Sequence, residues 1–157
     1  MIFAAAKNRF GFIKDIHLSD SEIVLILRET AEADAERGYL PTYYFNILSA
    51  DLGTILGRCD LRIGNNKDTR YAGNIGYAVY EPYRGHRYAL KACKLLLELA
   101  GKHSMKKLII TCNPDNIASG RTCELLGAEY IETIDVPETH ELFKMGEKRK
   151  RVYEIKL

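Results

Sequence analysis

The run Leu108-Ile109-Ile110-Thr111-Cys112 is short, almost wholly apolar and flanked on both sides by stretches of helical period. A strand of that composition needs cover on both faces, which a sheet packed under helices supplies. The flanking stretches fit. Tyr88 to His103 carries an apolar stripe at Leu90, Cys93, Leu96, Leu97 and Ala100, and Ile117 to Leu126 is a second helix stopped by Gly127. With strands expected at Ile75 to Tyr80 before them and Tyr130 to Val136 after, the order is strand, helix, strand, helix, strand. That order indicates an α/β chain.

Upstream the pattern changes. The opening, to about Asp15, reads as an edge strand. Ser19-Asp20-Ser21-Glu22 has the form of a capping box, and Ile23, Ile26, Leu27, Ala31 and Ala35 recur at helical spacing up to Arg37 before Gly38. A helix is therefore expected there. Tyr43 to Ser49 and Ile55 to Ile63 follow as strands joined by Asp51-Leu52-Gly53, and Gly64-Asn65-Asn66-Lys67-Asp68 makes a second turn. Pro137 to Arg151 is polar, and Val152 to Leu157 is a last strand. The chain is thus expected to be one α/β (α+β) domain over residues 1–157, with a mixed, mostly antiparallel central sheet flanked by helices.

Composition narrows the partners. A net charge of +2 is too small to make nucleic acid or anionic lipid the main partner. The late basic run Lys144, Lys148, Arg149, Lys150 and Arg151 reads as a solvated turn. Cys59, Cys93, Cys112 and Cys123 form no Cys-x-x-Cys pair, so no metal is expected and a reducing, cytoplasmic setting is. Ile2 to Ala6 is too short for the apolar core of a signal peptide, and no stretch is long enough to span a membrane.

The chemistry most visible in the sequence is anion binding. Pro82-Tyr83-Arg84-Gly85-His86-Arg87 feeds the helix that starts near Tyr88. A helix start presents unpaired N–H groups and a partial positive charge, so a basic, glycine-containing turn there can cradle a pyrophosphate. Neither Gly-x-x-x-x-Gly-Lys-Ser/Thr nor Gly-x-Gly-x-x-Gly occurs.

From Ile75 to Ala89 the sequence resembles the GNAT superfamily, in which a strand carrying a valine (here Val79) precedes an Arg/Gln-x-x-Gly-x-Gly/Ala loop. Downstream, Asn116-Ile117-Ala118-Ser119 and Cys123-Glu124-Leu125-Leu126-Gly127 resemble the family's Asn-x-x-Ala/Ser helix ending in Glu-x-Leu-Gly. The two motifs span about Asn74 to Tyr130. Ser119 without a tyrosine at 123 looks like the branch of ribosomal-protein N-terminal acetyltransferases and related acetyltransferases.

The resemblance implies an acetyl-CoA-dependent N-acetyltransferase in which an amine attacks the thioester directly. Tyr77, Ala78 and Val79 would pair with the pantetheine arm, and Arg84, Gly85, His86, Arg87, Tyr88 and Ala89 would hold the phosphates. Asn116 would hold a pantetheine amide, or cap its own helix, and Ser119 would touch CoA. Two departures stand out. Arg87 replaces the loop glycine and is expected to be helical already. Cys123 stands where relatives carry a proton-donating tyrosine; it is a candidate acid beside Tyr130 and water, or a packed helix cysteine. Glu81 is the first candidate for the general base, with Asp60 and Tyr77 next.

The cluster Tyr39 to Tyr44 either lines the acceptor cleft or covers the sheet edge. The acceptor would be a small-molecule or peptide amine, and the exposed tyrosines and the late strand are compatible with a homodimer. Two alternatives remain: a silent acyl-CoA-binding module of the same fold, and an unrelated α/β nucleotide-binding protein.

Overall fold

The computed structural model describes residues 10–157. Strands β1 (Leu18–Ser19), β2 (Ile23–Ala31), β3 (Thr42–Ser49), β4 (Ile55–Arg62) and β5 (Ile75–Val79) make one sheet in chain order. Helix α1 (Thr69–Ala72) precedes β5. Helix α2 (Tyr88–Lys102) follows it, then β6 (Lys107–Cys112), α3 (Ile117–Leu126), β7 (Glu129–Asp135), α4 (Glu141–Lys144) and β8 (Arg149–Lys156). The last three strands form a second sheet in the order β6-β8-β7. The α/β architecture is the expected one, with the sheet in two parts and every paired strand antiparallel.

The segment expected as a helix up to Arg37 is a strand instead. Ile23 and Leu25 are fully buried while Val24 and Ile26 lie on the opposite face, a period of two. Five consecutive β-branched or leucine residues fit either period, and pairing with β3 decides for the strand. The apparent capping box is a turn: Asp20 Oδ1 accepts from the amides of Glu22 (2.7 Å) and Ile23 (2.8 Å) and closes the β1–β2 hairpin. Residues 10–15 form no strand, and the expected edge strand before them lies outside the described residues. The basic run is a correction too. Arg149, Lys150 and Arg151 belong to β8, and Lys150 is buried with its ammonium 3.1 Å from Glu147.

Helix α2 lays Leu90, Cys93, Leu96, Leu99 and Ala100 onto the buried face of the first sheet, against Leu25, Tyr43, Phe45, Cys59 and Leu61. This core fixes β5 beneath α2. The two sheets share one core and are stapled together at Asn74. Asn74 N donates to Ile109 O (2.6 Å), Asn74 Oδ1 accepts from Ile109 N (2.9 Å), and Asn74 Nδ2 donates to the carbonyls of Arg62 (3.0 Å) and Gly64 (2.8 Å). Beyond this staple β5 and β6 share no strand pairing, so each is an edge of its own sheet.

Candidate functional site

The register of β4 and β5 dictates what the β5 edge offers. Tyr80 N bonds Leu56 O (2.9 Å) and Arg62 N bonds Asn74 O (2.7 Å), which fixes the hydrogen-bonded pairs at even-numbered residues of β5. Gly76 and Ala78 therefore turn their backbone groups to β4. Ile75, Tyr77 and Val79 turn theirs outward, toward the gap before β6. The outward Val79 carbonyl is taken by Arg84 Nε at 3.0 Å. The Tyr77 amide and carbonyl and the Val79 amide remain available to an extended ligand. Of the three strand residues expected to pair with one, Tyr77 and Val79 face the edge and Ala78 does not.

The gap is bridged on its inner side. The Tyr77 hydroxyl lies 2.6 Å from Ser119 Oγ on the first turn of α3, and burial raises the Tyr77 pKa well above its ordinary value. Ser119 is thereby tied to the strand. Asn116 caps α3, its Oδ1 accepting from Ser119 N at 3.1 Å. Among the described residues its side-chain NH2 has no hydrogen-bond partner.

At the far end of β5 the chain passes through a 3-10 turn (Glu81–Tyr83) to Arg84, Gly85, His86 and Arg87. No side chain caps α2 and no acidic residue sits in its first turn, so its leading amides keep their partial positive charge. Gly85 has φ +92° and open space around it, which permits close approach of a ligand. Arg84, His86 and Arg87 are exposed beside Tyr88 and Ala89. The conformation of this turn differs from the expected one at one residue. Arg87 is not helical: it is the residue before α2, with φ 60° and ψ 28°. The chain turns sharply from Gly85 into the helix, and a left-handed residue makes that turn.

A left-handed arginine costs about 1 kcal/mol relative to glycine. Arg87→Gly is accordingly expected to raise the unfolding midpoint by roughly 2–4 °C, measured by thermal unfolding without ligand.

Three of the candidate proton-transfer residues, Glu81, Cys123 and Tyr130, lie apart. Glu81 is exposed in the 3-10 turn. Cys123 is fully buried in the core, and desolvation pushes its thiol up to about 12. Tyr130 lies on β7, separated from β6 by β8; its hydroxyl meets Thr133 Oγ1 at 2.7 Å and Arg151 stacks on its ring at 4.8 Å.

On the face of the first sheet opposite α2 a cleft of about 1080 Å³ opens. Its floor is Thr42, Tyr44 and Arg62, and α1 with Gly73 forms one wall. Residues 137–142 form another, tied across by Tyr39 Oη to Glu141 (2.9 Å) and by His140 to Asp68 (3.4 Å). The Tyr39–Tyr44 cluster thus divides. Tyr39, Leu40, Thr42 and Tyr44 line the cleft, while Tyr43 is buried in the core with its hydroxyl 2.6 Å from His103. Arg62 ties the cleft floor to the segment before β5, donating to Gly73 O (3.1 Å), and pairs with Asp60 on β4 (3.2 Å). Sequence reasoning did not single out Arg62, Gly76 or Asn74; each draws its role from cross-strand register, which the residue pattern does not encode.

Among the described residues no group of three or more His, Cys, Asp or Glu side chains is placed to hold a metal. No helix among them is long and apolar enough to cross a membrane.

A family model described as an acetyltransferase (GNAT) domain matches residues 4–129. No curated protein matches the sequence significantly. Among solved structures, a Vibrio cholerae protein assigned as a ribosomal-protein-serine acetyltransferase is similar at TM-score 0.66 and 15% identity, over 91% of this chain and 98% of that one. The microcin C7 self-immunity acetyltransferase MccE, in complex with acetyl-CoA and AMP, is similar at TM-score 0.57 and 19% identity, over 74% of this chain and 61% of that one. The ribosomal-protein-S5-alanine acetyltransferase of Vibrio fischeri is similar at TM-score 0.57 and 15% identity, over 73% and 61%. At these identities the likeness is one of fold.

Proposed function

The chain belongs to the GNAT acetyltransferase family, and we propose that it transfers the acetyl group of acetyl-CoA directly to an amine bound in the cleft over β3 and β4. The observation that carries this reading is the outward-facing edge of β5, ending at an uncapped, basic helix start. An extended pantetheine arm fits that edge as an added strand, with the amides of Tyr77 and Val79 as donors. The pyrophosphate end then falls at Gly85 to Ala89, where the α2 amides and the Arg84, His86 and Arg87 side chains gather.

The Tyr77 amide supports the chemistry as well as the binding. A thioester carbonyl held against it develops negative charge as the amine attacks, and one such donor is worth about 3 kcal/mol in the transition state. The free NH2 of Asn116 is a second point of attachment for the pantetheine arm.

The cleft supports an amine that enters from the α1 side. Its mixed lining, with Tyr39 and Tyr44 beside Asp68 and Glu141, suits a cation carried on a larger body such as a peptide N-terminus.

Thermal unfolding with acetyl-CoA, CoA and ATP tests the donor half. At ~1 mM ligand and a Kd of ~10 μM, both CoA species are expected to raise the midpoint by about 5–11 °C, and ATP to leave it unchanged. Thiol release across a panel of peptide, polyamine and amino-acid amines then separates the enzyme from a silent acyl-CoA-binding module. No shift with either CoA species would remove the basis of the reading.

A further inference from the structure

Asp60 sits in the middle of β4 on the same sheet face as Tyr44, its partner across β3, and Arg62, both of which line the cleft. Its carboxylate rests on the backbone of β5. A Cβ placed on Gly76 would meet Asp60 Oδ2 at 2.7 Å and Oδ1 at 3.0 Å, so a side chain there would displace the carboxylate from this position. The next residue along β5 is Tyr77, whose amide faces the free edge. One backbone unit thus separates a carboxylate on the cleft face from the donor where the thioester carbonyl would sit.

The carboxylate also has capacity to spare. Asp60 Oδ1 is buried and has no aligned hydrogen-bond donor, although Arg62 Nη2 stands 3.2 Å away as a counter-charge. A buried, unsatisfied acceptor is costly and calls for a function. Burial raises the Asp60 pKa above its ordinary value, and Arg62, the Gly76 amide and Arg58 oppose that rise. The effect is a stronger base than a solvent-exposed aspartate.

On the acetyl-transfer reading above, we propose that Asp60 is the proton acceptor of the reaction, receiving the acceptor ammonium at the head of the cleft and taking one proton from it. Asp60 is not itself among the residues lining the cleft but lies beside two that are, Tyr44 across the strand pair and Arg62 at 3.2 Å, whereas Glu81 is exposed in the turn after β5. The step balances. The ammonium R–NH3+ gives one proton to the Asp60 carboxylate. The freed nitrogen lone pair forms the N–C bond to the thioester carbonyl carbon, and the C–S bonding pair leaves with sulfur. The second proton lost by nitrogen passes to that sulfur, giving R–NH–CO–CH3 and the thiol. Asp60, now neutral, returns its proton to solvent.

The test uses the full chain with acetyl-CoA and the most active amine of the panel, following thiol release from pH 5 to 10. Asp60→Asn keeps the shape and removes a buried charge. It is expected to retain the wild-type midpoint shift with acetyl-CoA while kcat/KM at pH 7 falls by about 10²–10⁴-fold. The inflection that Asp60 protonation sets on the acidic side of the wild-type profile should vanish in this variant, whose rate should climb tenfold per pH unit without a break up to the pKa of the amine, as solvent supplies the free amine. Gly76→Ala is an independent probe, because it pushes the carboxylate off β5 without removing it. At least a tenfold loss of kcat, with acetyl-CoA affinity unchanged, is expected. Wild-type kcat and an unaltered acidic limb in Asp60→Asn would overturn the role of Asp60 alone. A wild-type protein that binds acetyl-CoA yet releases no thiol with any amine would overturn the acetyl-transfer reading, and this role with it.

Discussion

Asn74→Leu is expected to destabilise the fold by about 4 kcal/mol, lowering the thermal midpoint by roughly 8–16 °C. The side chain is 2% exposed and makes three hydrogen bonds, all to backbone groups of other segments. Leucine is nearly isosteric, so the loss comes from polarity and not from volume. It strands the carbonyls of Arg62 and Gly64 and the amide of Ile109 without side-chain partners. Each buried orphan costs about 1–3 kcal/mol, and the smaller figure applies where water can reach. Asn74 is also where β5 is tied to β6. Its loss should loosen the closed end of the gap, so acetyl-CoA is expected to recover less of the midpoint than in the wild type. Chemical denaturation read through the change in midpoint at constant slope checks the magnitude.

Val79→Pro is expected to weaken acetyl-CoA binding about 30-fold while leaving the fold intact. The Val79 amide faces the free edge and plays no part in pairing with β4, so proline removes no ladder bond. What it removes is a donor to the ligand, leaving a carbonyl of the pantetheine arm unpaired, at a cost of about 2 kcal/mol. Titration of acetyl-CoA into the variant by calorimetry measures this directly. Val79→Ala, which keeps the amide, is the matched control and should bind within a few-fold of wild type.

The contrast between these two residues shows how far the sequence could be read. The elements that make up the proposed donor side were legible. A strand carrying Val79, a basic turn with Gly85 and a helix start are local features, and local features survive in the order of residues. The α2–β6–α3 succession was legible for the same reason: its apolar periods are unambiguous. The stretch Ile23 to Leu27 was not, because continuous apolar residues satisfy a helix and a strand equally, and the choice is made by β3, twenty residues away. Arg87 was misread because a left-handed arginine depends on the path from Gly85 into α2 and leaves no trace in composition. The Asp60–Gly76 contact and the Asn74 staple depend on β4–β5 register and on how two sheets meet. A single-residue slip of that register would turn Ala78 outward instead of Tyr77 and Val79, and no local signal forbids it.

The same logic orders the candidate proton-transfer residues. Glu81, Cys123 and Tyr130 sit near the motifs in sequence, yet the fold sends one to a solvent-exposed turn, one into the core and one to the outer strand. Asp60 is fifteen residues before β5 begins and meets it only through strand pairing.

The central claim is that the outward edge of β5 is the acetyl-CoA site, and amide hydrogen exchange resolved by residue tests it most directly. In the free protein the amides of Tyr77 and Val79 should exchange quickly and that of Ala78 slowly, because only Ala78 is bonded to β4. Saturating acetyl-CoA is expected to protect Tyr77 and Val79 together with the leading amides of α2, and to leave Ala78 as it was. Saturation with acetyl-CoA while Tyr77 and Val79 exchange at their free rates would contradict the account, and would place the donor elsewhere on the molecule.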